Sequence, residues 1–238
     1  MLSQATSIYL PEDEFTLPPL LYRIENQIGN RDTGINVEAL DKNKRRALSG
    51  EWLRYGDRFD LAANFSIQVI QRENIQWVGG GVLQGSFGTS RYAKDDQIYD
   101  LNLSRGWARI WIKPDKNPVK LQIHTAQGVF ETSNAEFWIA TRPESTEIYL
   151  IKGEVKRIEN NLPLINRTYA RFEGSNPRPT YLAKAWDKDI VEVRIASSYP
   201  NLVKLVSLTE PEWKTGRIPH LYSQYRKKGW QKADPSEK

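Results

Sequence analysis

The chain has 238 residues, of which 39% are hydrophobic and 26% charged, with eight tryptophans and eleven tyrosines. That composition excludes a chain disordered throughout, and the length is enough to bury a core. The absence of cysteine excludes disulfides and thiol nucleophiles, while a net charge of +5 and a pI near 9.2 give only a mild pull toward polyanions.

Residues 1 to about 36 read as an arm. The Pro18-Pro19 pair enforces an extended path, and Leu17, Leu20, Leu21 and Ile24 are its packing residues. Met1 to Leu10 lacks a basic start followed by an apolar run, and no stretch reaches the roughly eighteen apolar residues of a membrane span, so neither a signal peptide nor a span is expected. In Val37 to Gly50, the residues Val37, Leu40, Lys44 and Leu48 recur at helical spacing before a closing glycine, which predicts one short helix near the N-terminus.

From Trp52 onward the period falls to two. SIQVI, IQWV, VLQGSF, IYDLNL, WARIWI, VKLQIH, VFET, EFWIAT and EIYLI follow one another with Gly, Asn, Asp or Pro between most of them. Short strands without intervening helices predict an all-β fold of jelly-roll, sandwich or short solenoid type, because each strand has an apolar face that only another sheet can cover. After Ile158 the pattern loosens, and strands are expected to return in DIVEVRIA (189–196) and LVKLVSL (202–208). The expected division is an arm with a short helix over 1–50, a β domain over 51–158, and a β extension with a basic tail over 159–238. In that tail, Tyr225 to Lys232 carries four basic residues among aromatics and reads as solvated.

The order of elements over residues 50 to 158 resembles the FecR family domain. The matching motifs are Gly56-Asp57, Gly106 to Ile112, Thr125 to Gly128, Ser133 to Ile139, and Ile151 to Val155. One departure is visible: where the family has Gly-Thr before x-Phe, this chain has Asn134-Ala135, so Asn134 is expected to make the turn. The resemblance implies a periplasmic or envelope location. It also implies one of two roles: a sensory part of a sigma-factor regulatory system, or an envelope binding module.

Catalytic chemistry finds little footing, and the chain is not expected to be an enzyme. Of its two histidines, His124 falls on the polar face of a strand without an evident partner, and His220 lies in a loop. No metal site is expected, since there are no metal-ligand spacings of histidine, and Glu12-Asp13-Glu14 and Asp95-Asp96 read as solvated loops. The glycines of Gly79 to Gly88 precede a strand rather than a helix, so they mark turns or bulges and not a phosphate cradle. Nucleic acid is not expected as a partner, given no recognition motif and a dispersed charge.

One pattern stands out. In WARIWIK, alternation puts Trp107, Arg109, Trp111 and Lys113 on one face and Ala108, Ile110 and Ile112 on the other, and Trp138 can join the first set. Indoles interleaved with cations grip sugars or extended peptides, so these five residues are the candidate ligand-binding site. The expectation is a non-enzymatic envelope module, without cofactor, that recognises a cell-wall glycan or an envelope protein. The alternative is a periplasmic signalling component that takes a partner by strand addition.

Overall fold

The computed structural model describes residues 18–26, 34–88, 90–93, 96–115, 119–184 and 187–215. Leu17, the acidic residues 12–14, Asp95, the side chain of Asp96, His220 and the basic tail lie outside the described residues. The fold is mostly β, as the period-two pattern requires, with two helices at the C-terminal end.

The strands are β1 (Leu20–Asn26), β2 (Ile35–Glu38), β3 (Lys44–Ala47), β4 (Glu51–Trp52), β5 (Arg58–Asp60), β6 (Phe65–Arg72), β7 (Ile75–Phe87) and β8 (Arg91–Ala93). They continue as β9 (Asp96–Ile112), β10 (Val119–Thr125), β11 (Gly128–Thr141), β12 (Ser145–Arg157), β13 (Leu162–Ile165), β14 (Thr168–Glu173) and β15 (Tyr181–Lys184). All fifteen join one hydrogen-bonded network whose main order is β15-β14-β12-β11-β10-β9-β7-β5-β2-β3. The network runs on past Ile158, where β13 and β14 both pair with β12.

The expected N-terminal helix is replaced by a hairpin. Ile35 pairs with Ala47 and Glu38 with Lys44, and Lys42 turns the chain at φ 64°. The helical spacing misled because it counted Leu40 and Leu48, which are exposed, whereas Ile35, Val37 and Ala47 bury on one face of a two-residue period. The arm also enters the sheet: Leu20 and Leu21 are buried, and β1 pairs with β4 and β6.

The long strands do not run straight. Both ends of β9 reach the β6–β7 turn, since Gln97 accepts from Arg72 at 2.5 Å and Lys113 N–H donates to the Asn74 carbonyl at 3.0 Å. A 17-residue strand kept straight would span roughly 55 Å, so β9 must fold back. It bends at Gly106, whose φ is +104° and where a Cβ would sit 2.6 Å from Leu83 Cα. The bend explains the pairing of β9: its first half runs parallel to β10 and its second half antiparallel to β11. In β12, Gly153 has φ +88°, and a Cβ there would lie 2.0 Å from the Asn134 carbonyl oxygen. The positive φ expected of Asn134 is therefore taken instead by Gly153, which pairs with Ala135 on the neighbouring strand. In β7, Gly81 and Val82 take φ 72° and 60°, which places the bend inside the glycine cluster. Such bends let one strand serve two layers, and residues such as Phe59, Trp77, Leu101, Ile110, Phe137 and Phe172 meet in a common core.

The expected strands DIVEVRIA and LVKLVSL are helices: α1 (Lys188–Ser198) and α2 (Pro200–Thr215). Alternation is present in both segments, but the buried residues recur at helical intervals, Val191 and Ile195 in α1 and Leu202, Leu205, Val206, Thr209 and Trp213 in α2. Local signals agree. The Asp187 side chain caps α1 by accepting from Asp189 N–H, and Pro200 occupies the first position of α2. Among the described residues no helix is long and apolar enough to cross a membrane.

Candidate functional site

The outer face of WARIWIK is covered. Trp107, Trp111 and Trp138 are 8%, 6% and 0% exposed, and they pack with Val191, Ile195, Leu202, Leu205 and Trp213 of the two helices. The expected open platform of indoles is thus a second core between sheet and helices. Period two placed these side chains on one face correctly, but not what would lie over that face.

Arg109 sits at the centre of this layer and is fully buried. Its guanidinium ion-pairs with Glu136 of β11, with Glu192 of α1 at 2.9 Å and with Glu210 of α2 at 3.4 Å. It also lies 5.8 Å from the Trp138 ring centroid and 5.3 Å from that of Trp213. A buried guanidinium is tolerated only when its charge and N–H groups are answered, so these carboxylates are a condition of its burial. Lys188 reaches Glu210 at 3.0 Å and Glu192 at 3.5 Å, and Lys214 reaches Glu210 at 3.3 Å. Burial raises the Glu210 carboxyl, but the Lys188 hydrogen bond and the Arg109 charge outweigh it and hold the group at about 2. The far side of α2 is tied by Arg23 to Glu212 at 2.9 Å and by Asn201 to the Asn64 carbonyl at 3.2 Å.

From Trp138 an aromatic ladder crosses the sheet. Trp107 meets Trp138 edge-on at 6.4 Å and stacks on Tyr149 at 6.1 Å; Tyr149 stacks on Tyr169 at 4.4 Å, and Tyr169 tilts against Tyr181 at 5.4 Å. The ladder starts beneath the helices and ends at β15, where Tyr181 is 55% exposed. Below it, the buried Glu147 accepts from the Tyr149 and Tyr169 hydroxyls at 2.5 and 3.2 Å. Burial first, and then the Glu147 contact, push the Tyr149 hydroxyl well above the usual tyrosine range; burial and the Glu147 charge raise Tyr169 as well.

His124 has a partner after all. Its Nε2 lies 2.7 Å from Asp100 Oδ1 on the parallel neighbour β9, a pairing that the strand pattern alone could not show. Among the described residues no group of three or more His, Asp or Glu is placed to hold a metal ion. Of the five expected site residues, Trp107, Arg109 and Trp138 lie in the layer beneath the helices. Trp111 and Lys113 lie at its rim, with the Lys113 ammonium 4.8 Å from the Trp111 ring centroid. Glu192 was missed because its segment was read as a strand, and Glu210 because it lies just past the second segment so read, 202–208. The i,i+4 spacing of Val191 and Ile195 was the signal that could have found them.

No family model and no curated protein matches the chain. Two crystal structures of a proposed anti-sigma factor from Parabacteroides distasonis ATCC 8503 are similar to it at low level. One is 14% identical with a TM-score of 0.36, covering 59% of this chain and 61% of that one. The other is 12% identical with a TM-score of 0.35, covering 58% and 60%. The chain thus spans about three-fifths of the length of the structures it matches.

Proposed function

We propose that the chain is a non-enzymatic signalling module of the cell envelope, part of a sigma-factor regulatory system, which takes a protein partner by strand addition at β15. The observation that carries this reading is the state of that edge. β15 ends the sheet order, pairs with β14 alone among the described strands, and has Tyr181 and Leu182 55% and 50% exposed on its two faces. Edge strands are ordinarily shielded by charge, proline or a covering segment. An edge with one large apolar side chain on each face suits an added strand, which gains backbone hydrogen bonds and side-chain contacts together. The resemblance of residues 50 to 158 to the FecR domain supplies the regulatory setting, on a sandwich-like scaffold. A glycan stacked on Trp107, Trp111 and Trp138 is less well supported, because the helices cover those rings.

The test is genetic. The gene is deleted and transcription measured from promoters read by the alternative sigma factors of the host. The expected result is altered output from one set, restored by the wild-type chain and not by Tyr181→Glu/Leu182→Lys. Unaltered output from every set, or full restoration by the double variant, overturns the reading.

A further inference from the structure

At the rim of the aromatic layer, the end of β9, the middle of β11 and β12, and the last turn of α2 enclose a cleft of about 200 Å³. Six of its residues matter: Trp111, Lys113, Glu136, Lys152, Trp213 and Lys214. We propose that this cleft binds a small organic anion, a carboxylate or a phosphate. The site is independent of strand addition at β15.

Three ammonium groups and one carboxylate, that of Glu136, line the cleft. Lys113 lies over the Trp111 ring, and among the described residues no carboxylate comes within ion-pair distance of Lys113 or Lys152. Glu136 is engaged by the buried Arg109, and the carboxylate that Lys214 reaches, Glu210, is shared with Arg109 and Lys188. The carboxylates beside the cleft are therefore committed to the helix-pinning network, which leaves ammonium groups from the sheet and from α2 around one concavity.

Trp111 and Trp213 form part of the cleft wall and are 6% and 1% exposed. An anion seated among the lysines gains charge-assisted hydrogen bonds from their ammonium groups. The volume equals roughly six or seven waters at about 30 Å³ each, which suits a small molecule and not a polymer. Because Lys113 directly follows β9, Lys152 belongs to β12 and Lys214 to α2, such a ligand would tie the helix to the sheet and raise the stability of their docking.

The experiment follows the tryptophan indole N–H signals of the full ¹⁵N-labelled chain during titration with phenyl phosphate, with benzoate and with the neutral control benzyl alcohol. The expected result is saturable shifts of the Trp111 and Trp213 signals, assigned by Trp→Phe variants, with at least one anion and none with the alcohol. Comparing the two anions separates phosphate from carboxylate. Lys113→Gln/Lys152→Gln, at an unchanged melting temperature, should weaken binding by about tenfold or more, as expected for the loss of roughly 1.4 kcal/mol or more of charge-assisted contact. No saturable shift with either anion, equal shifts with the alcohol, or unweakened binding by the folded double variant overturns the proposal.

Discussion

Arg109 on β9 and Glu192 on α1 are separated by 83 positions in the sequence and by 2.9 Å in the fold. With Glu136 and Glu210, this contact pins two helices on a sheet through one fully buried cation. Removing the cation leaves carboxylates that lost their water on folding, so the pair is worth less than the cost of breaking it. Arg109→Ala should destabilise the chain by about 3–5 kcal/mol, measured by urea unfolding. Arg109→Met combined with Glu136→Gln, Glu192→Gln and Glu210→Gln should recover part of that loss, because the fully buried cation and its carboxylates are then removed together.

Glu210 gives the same network a pH dependence. Its folded value of about 2 lies below its ordinary 4.5, so the folded state favours the ionised form. The stability it contributes is full above about pH 4.5 and is lost as the pH falls toward 2. Melting temperatures recorded between pH 6 and pH 2 should fall across that window, and Glu210→Gln should flatten the fall.

The tyrosines act at the other end of the scale. Tyr149 and Tyr169 are both raised, so their contribution is full below a tyrosine's ordinary value of about 10 and is lost as the pH climbs toward their folded values. In tyrosinate absorbance, Tyr149 and Tyr169 should form a late phase that appears only near alkaline unfolding. Glu147→Gln should bring this late phase to lower pH, since a neutral amide repels the forming phenolate less than a carboxylate does.

The bends in the strands depend on backbone that only glycine adopts readily. At Gly153 a side chain meets both a φ of +88° and the Asn134 carbonyl. Gly153→Ala should cost at least about 2 kcal/mol in urea unfolding. Gly174, with φ +56° and nothing within 4 Å of a built Cβ, isolates the backbone effect; Gly174→Ala should cost about 1 kcal/mol.

Much of the fold was legible in the residues themselves. Alternation in VKLQIH, EFWIAT and EIYLI marked strands because a side chain every second residue reaches a core that the strand's own geometry defines. The same alternation put Trp107, Arg109 and Trp111 on one face. Gly106, Gly128 and Gly153 stood out within the motifs, and all three have positive φ.

Tertiary structure decided the rest. Period two in DIVEVRIA and in LVKLVSL fits a strand, yet Val191, Ile195, Leu202, Leu205, Val206 and Trp213 could be buried together only as helices laid over the indoles of β9 and β11. That packing reversed the meaning of WARIWIK, from an open face to a covered one. A sequence fixes which face of a strand a side chain takes, because that follows from local geometry. What covers the face depends on contacts between residues far apart in the chain, and no local period records those.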